Sequence, residues 1–438
     1  MLVRRFSKVF MAAAMFFAAV SSFAQTGAYT DFTPYSIFAV GDLTNQGSAY
    51  NRSMGGVGIA SRNNRYLNYL NPAATTARDS LSFMADMSLQ MNNKIYSQGD
   101  IHNGQNTFNL QDLAISFPVY KSSAAMIGIT PYSTTGYGYG ETYDDADILA
   151  RTGGYGYSSN GQGNIYQFFV AAGVTFWKKL SIGVQGIQYF GDIERTNTMM
   201  FAQSDLYTIN SGSRLILRGT TAKFGLQYEQ LIGTRSKVTI GATYKLGAKM
   251  SGFSSDYEMS VGAYTDTLRY VVDTLKTTRG VSFPSEVGLG ISLNVADRWR
   301  AEVDYTFSDW TNSGVTDATG FAVKGRSVFT ATKSQALRAG FEIVPNRNDI
   351  RYFYRRCAYR VGAYYDKAYY LLDGNEVNSY GITLGGTIPV FRYYNGITFG
   401  MDIGQRASLA GNMIRERYVN FSIGFNIFDY WFQKSRYK

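Results

Sequence analysis

Val419–Ile427 reads VNFSIGFNI. Val419, Phe421, Ile423, Phe425 and Ile427 share one parity, while Asn420, Ser422, Gly424 and Asn426 take the other. Successive side chains of an extended strand point to opposite faces, so this period of two predicts a sheet with one apolar and one polar face. The same pattern recurs upstream, in Leu81/Phe83/Ala85/Met87/Leu89, Leu113/Ile115/Phe117/Val119, Tyr166/Phe168/Val170/Ala172/Val174/Phe176 and Val287/Leu289/Ile291/Leu293. Read from Leu81 onward, the chain offers fourteen candidate strands.

None of the apolar-parity positions carries a charge. The opposite parity carries Asp86, Lys223, Lys245, Glu302, Asp304, Arg338, Glu342, Arg360, Asp366 and Asp402. A soluble β-sandwich satisfies this alternation as well as a membrane barrel does. Two features favour the barrel. The strand number is even, as in bacterial barrels. Connections also alternate in length: short ones stand at Lys121-Ser122, Lys178-Lys179, Gly233–Ser236, Ala296–Arg298, Pro345–Asp349 and Tyr393–Gly396, whereas Tyr143–Gly163, Met250–Val281 and Asn312–Ser327 are long. Short periplasmic turns opposite long outer loops mark outer-membrane barrels. Phe176-Trp177, Trp299, Tyr393-Tyr394 and Tyr430-Trp431-Phe432 sit beside the short side and read as an interfacial girdle. Within the long connection after strand seven, Ser251–Thr278 reads as a hairpin standing above the membrane.

The compartment follows from the other end. Arg4, Arg5 and Lys8 precede the apolar run Val9–Val20, and Ser22-Phe23-Ala24 offers a cleavage site. Residues 1–24 therefore read as a signal peptide, and the mature chain as an integral protein of a Gram-negative-type outer membrane. The formal charge of +10 falls to +7 once Arg4, Arg5 and Lys8 are removed. No basic stripe suggests nucleic acid; the expected contacts are outer-membrane lipid and lipopolysaccharide. Cys357 is the single cysteine, so no intramolecular disulfide is available, and His102 is the single histidine.

Residues 25–79 precede the first strand and are too few for a comfortable domain. Tyr35, Ile37, Phe38, Val40, Met54, Val57, Ile59, Leu67 and Leu70 nevertheless need burial. We expect this segment to fold into the lumen as a hatch, with residues 80–438 as the barrel. Near its end, Asn71 is placed to cap a short helix and Pro72 to occupy its first turn.

RSMGGVGIASRNNRYLNYLNPA, Arg52–Ala73, resembles the hatch of the FadL/TodX outer-membrane transporters for hydrophobic molecules. The resemblance rests on Gly55, Gly56 and Gly58 leading into Asn71-Pro72-Ala73, just before strand one. It implies a fourteen-stranded barrel that takes up hydrophobic or amphipathic small molecules passively. Ligands of that family are captured among outer loops and leave sideways at a kink in strand three. Here the third strand holds Pro131, Gly136, Gly138 and Gly140, which either open the wall or simply bend the strand at the outer rim. Tyr137 and Tyr139 are the corresponding candidate ligand contacts. Relatives of the family also serve as non-transporting subunits of outer-membrane secretion or assembly complexes, which is the alternative reading, with protein partners.

Catalytic chemistry has little to stand on. His102 lies in IHNGQN, read as a polar turn between strands one and two, and no Gly-x-Ser-x-Gly elbow occurs. Asp144-Asp145-Asp147 reads as a solvated acidic loop rather than a Ca²⁺ site. The expectation is a protein that is not an enzyme, with no catalytic residue, metal or cofactor.

Overall fold

The computed structural model describes residues 29–79, 81–143, 145–203, 206–261, 267–272, 276–278, 281–315, 328–390, 395–409, 411 and 413–430. The signal peptide and its cleavage site, residues 25–28, Asp144, Tyr393-Tyr394, Trp431-Phe432 and most of Asn312–Ser327 lie outside the described residues.

The polypeptide forms a closed, fourteen-stranded antiparallel barrel. In chain order its strands are β1 (Ser82–Gln98), β2 (Ile101–Tyr120), β3 (Ser123–Tyr143), β4 (Tyr155–Phe176), β5 (Leu180–Phe201) and β6 (Thr208–Ile232). β7 is Ser236–Lys245, continued by Ala248–Val261, and β8 is Glu286–Val295. Then come β9 (Trp299–Asp309), β10 (Lys333–Ile343), β11 (Ala358–Leu372), β12 (Asn375–Pro389), β13 (Gly396–Arg406) and β14 (Arg415–Tyr430). β14 closes the cylinder on β1, from Ser82 opposite Tyr430 to Ser97 opposite Arg415.

Every strand turns large apolar side chains outward, from Met87 on β1 to Val419 and Ile427 on β14. Leu289 and Ile291 are 53% and 51% exposed, whereas Glu302 and Asp304 of the neighbouring strand are 1% and 2% exposed. A protein surrounded by water does not leave a continuous apolar belt uncovered, so the belt faces lipid.

Tight turns close one end, at 121–122, 177–179, 233–235 and 296–298. Trp177 there is 82% exposed, and Trp299 stacks on Phe341 with ring centroids 6.2 Å apart. The expected short connector Pro345–Asp349 is instead longer: β11 does not begin until Ala358, and Phe353–Arg356 form a 3₁₀ turn. At the other end, much of the expected loop length is strand. Tyr143–Gly163 resolves into a short helix, Ala146–Thr152, and the start of β4 at Tyr155. Ala248–Val261 pairs with Thr267–Val272 and Lys276–Thr278, giving the hairpin expected above the membrane.

His102 is likewise not in a turn. The chain reverses at Gly99-Asp100, with Gly99 at φ +56°, and His102 lies in β2 opposite Ser97, its Nδ1 3.0 Å from Ser97 Oγ. Beyond the apolar belt nothing demands alternation, so a strand tolerates the Asn103-Gly104 pair that otherwise signals a turn.

Candidate functional site

Residues 29–79 lie against the inward faces of the strands. Thr33 caps a 3₁₀ turn at Pro34–Ile37, Asp42–Leu43 form a short strand, and Ser48 and Asn51 make a capping box for the helical turn Ala49–Arg52. Asn71 Oδ1 accepts the Ala73 N–H at 3.0 Å and caps Pro72–Thr76, which is 3₁₀ rather than α. Its Nδ2 donates to Ile59 O at 2.8 Å, so one buried side chain ties both halves of the motif together. Tyr35, Val40, Met54, Val57, Ile59 and Leu67 are buried, while Ile37, Phe38 and Leu70 are half-buried.

The wall receives this segment with glycine. A Cβ on Gly173, Gly183 or Gly225 would run into the backbone or ring of Pro72, the Thr76 side chain or Asn71 Oδ1. These three stand side by side, Gly173 opposite Gly183 and Gly183 opposite Gly225. Gly241 and Gly290, also paired, admit Ile59 and Ala60; Gly340 and Gly362 admit Met54 and Gly55. Gly385 and Gly400 admit Ser53, and Gly424 admits Ala49. A track of bare backbone thus runs from β4 through β14, interrupted at β9. There Asp304 accepts the N–H groups of Gly58 at 2.6 Å and Ile59 at 2.8 Å. Gly55 and Gly56 have φ of +74° and +81°, a left-handed conformation that glycine adopts without strain. The Gly55 N–H donates to Thr383 Oγ1 at 2.7 Å.

Charge completes the attachment. Arg52 reaches Asp112 at 3.4 Å, Asp42 pairs with Arg406 at 2.7 Å and Asp31 with Lys94 at 2.8 Å. Arg300 donates to Tyr50 Oη at 3.1 Å and to Arg62 O at 3.1 Å, and the Arg360 guanidinium lies 4.4 Å from the Tyr50 ring centroid. Burial lowers the pKa of Arg62, whose guanidinium donates to Ser181 Oγ at 2.7 Å and to Gln227 Oε1 at 3.2 Å. The ion pairs are half-buried, and removing Arg52 or Asp31 strands the buried charge of Asp112 or Lys94.

What remains open in the lumen is a cavity of about 320 Å³. Lys223, Lys245, Glu286, Arg338, Asp366 and Asp402 line it, with Lys245 and Glu286 paired at 2.9 Å. Tyr132, Trp310 and Tyr369 line it too, and with Phe283 they form a run of ring contacts with centroids 4.5–5.6 Å apart. Charged groups and aromatic rings thus share the lining of this space.

The β2–β3 seam is different. Their pairing ends at Leu113 opposite Ile129. Just beyond, each strand carries one extra residue: Gln111 in β2 and Tyr132 in β3, the latter directly after Pro131. The N-terminal segment takes up the freed edge of β3. Asp42–Leu43 pair with Thr134 and Ser133, the Thr44 N–H donates to Tyr132 O at 2.9 Å, and Thr44 Oγ1 donates to Pro131 O at 2.7 Å. The Thr33 N–H donates to Gly136 O at 2.7 Å. Gly136 has no room for a Cβ beside Asp31 O, Gly138 faces Asn160 and Tyr29, and Gly140 faces Tyr157 O. Tyr137 is buried over Gly161, and Tyr139, 52% exposed, stacks on it with centroids 6.3 Å apart. Pro131 and the three glycines therefore share one strand, but only Pro131 stands at the break.

Sequence reasoning missed the wall glycines, the Asp304 cradle and the seam-capping role of residues 33–44. The recurrence of inward-parity glycines from strand to strand, with β9 the exception, was the available signal for the first.

A closed barrel with an apolar belt, a polar interior and this architecture defines an outer-membrane barrel of FadL type. It is similar to the Pseudomonas putida toluene transporter TodX (TM-score 0.57, 13% identity, covering 88% of this chain and 99% of that one). It is also similar to the CymD monoaromatic hydrocarbon channel (0.56, 12%, 87% and 97%) and the Ralstonia pickettii toluene transporter TbuX (0.51, 15%, 86% and 97%). At such identities the likeness is one of fold. No curated protein matches the chain by sequence. The sequence model of the BamG family matches residues 6–438, and the chain belongs to that family.

Proposed function

We propose that this protein is a sealed barrel serving as an accessory subunit of an outer-membrane protein complex, with residues 25–79 as a fixed hatch. The close seating of the N-terminal segment carries this reading: it meets the wall at backbone contact along the glycine track and is tied to it by half-buried ion pairs. The residual cavity carries Lys223, Lys245, Glu286, Arg338, Asp366 and Asp402, whereas sites for hydrophobic solutes are lined mainly by apolar groups with few polar ones. Membership of the BamG family, rather than of a transporter family, supports the same reading. The partners are then lipid around the belt and other proteins at the rims.

A second reading, passive uptake of a hydrophobic small molecule with lateral exit at β3, is favoured by the end of pairing at Leu113–Ile129. The resemblance to a protein described as a monoaromatic hydrocarbon channel also supports it. On this reading Pro131, Gly136, Gly138 and Gly140 border the exit, and Tyr137 and Tyr139 touch the ligand.

One experiment separates them. The full chain is purified from native outer membranes in mild detergent and, in parallel, reconstituted alone into liposomes. The accessory-subunit reading expects stoichiometric co-purifying proteins and no uptake of toluene above empty liposomes. A solitary barrel that carries toluene overturns it in favour of the channel.

A further inference from the structure

Four of the turns at the tight-turn end are minimal. The connection between β10 and β11, residues 344–357, is not, and it is built to a fixed shape. The Val344 N–H donates to Arg298 O at 2.7 Å, Arg298 Nε donates to Pro345 O at 3.1 Å, and the Asn346 N–H donates to Arg355 O at 2.8 Å. Asp349 accepts the N–H groups of Arg351 at 2.9 Å and Tyr352 at 2.7 Å, and pairs with Arg355 at 3.3 Å. Those donors hold the Asp349 carboxyl below its usual pKa. Tyr359 of β11 donates its hydroxyl to Tyr354 O at 3.0 Å.

The loop spends these bonds on presenting a surface. Residues 350–355 are all exposed, Ile350 at 96%. Arg351 and Arg355 lie 5.2 Å and 4.8 Å from the Tyr352 ring centroid, and Arg356 lies 5.2 Å from that of Phe353. Arg347, Arg351, Arg355 and Arg356 stand against one acid, Asp349.

We propose that this loop is a docking surface for an acidic face of a periplasmic partner protein. The inference rests on the accessory-subunit reading and names where the partner sits. Tight turns are the periplasmic end of such barrels. Tyrosine and arginine dominate protein–protein hot spots, and an ordered loop loses little entropy on docking. A cationic surface selects an anionic partner by charge complementarity. Fluid lipid headgroups demand no fixed loop shape, and the four minimal turns at the same end carry none. An isoleucine standing clear of its own protein, framed by arginines, fits a shallow apolar site ringed by carboxylates.

The test places a photo-crosslinking phenylalanine analogue at position 350 of the full chain and irradiates intact outer membranes before purification. Expected is an adduct with one stoichiometric partner, reduced more than tenfold by Arg351→Glu/Arg355→Glu in a barrel that keeps its heat-dependent gel mobility. Ile350→Ser leaves the loop's own bonds in place and is expected to weaken partner retention at least threefold. Crosslinking to phospholipid alone, or a complex indifferent to both variants, overturns the docking surface and leaves the accessory-subunit reading standing. Absence of any complex with the unaltered chain overturns both. The purified chain in phosphatidylethanolamine–phosphatidylglycerol vesicles is expected to give no protein adduct.

Discussion

The N-terminal segment meets the barrel in two ways. Along β4–β14 it presses backbone to backbone, because glycine removes the side chain that would hold it off. At the β2–β3 seam it replaces a missing strand, lending Asp42–Thr44 and Thr33 to the unpaired edge of β3. The first contact depends on shape and tolerates almost no added volume. The second depends on backbone hydrogen bonds, which most side chains permit. One segment therefore holds to the wall by close contact and mends its seam by pairing.

Substitutions should separate these modes by magnitude. Gly225→Val puts a branched side chain where Asn71 Oδ1 and Pro72 sit, and overpacking a close contact costs about 3 kcal/mol or occasionally more. The expected outcome is release of the segment, read as new protease cleavage within residues 29–79; a protected segment would break the shape argument. Asn71→Ala removes the cap and one of the two bonds to Ile59 O, which keeps Gln227 Nε2 at 2.9 Å, for a loss of about 1–2 kcal/mol in urea unfolding from detergent. Thr44→Ala deletes one side-chain bond to Pro131 O but keeps its backbone N–H, so about 1 kcal/mol is expected. Pro131→Val should change stability by less than about 1 kcal/mol, because the neighbouring edge is already served by residues 42–44. On the sealed reading it leaves toluene permeation unchanged, whereas slowed uptake would revive the channel and recast the seam as an exit.

Legibility in the sequence follows the same division. The lipid face was readable because the bilayer imposes a strict period: Leu289 and Ile291 point out and Glu302 and Asp304 point in, as their parity requires. Asn71 and Pro72 were readable because capping is local chemistry. The glycine track was not, since Gly183 acquires meaning only when Pro72, distant in sequence, comes to rest on it. His102 was misplaced because the strand outlasts the membrane, where polarity no longer reports direction. The loop at 344–357 hid because the connector was read as ending at Asp349, whose carboxylate instead accepts the Arg351 and Tyr352 N–H groups and folds the next residues back.

The glycine track also bears on the order of assembly. Residues 49–76 rest directly on bare wall backbone, so the segment and the inner wall complement one another only once both are in their final places. Such a fit favours an assembly in which the strands are laid around the segment, as around a mandrel, before β14 closes on β1.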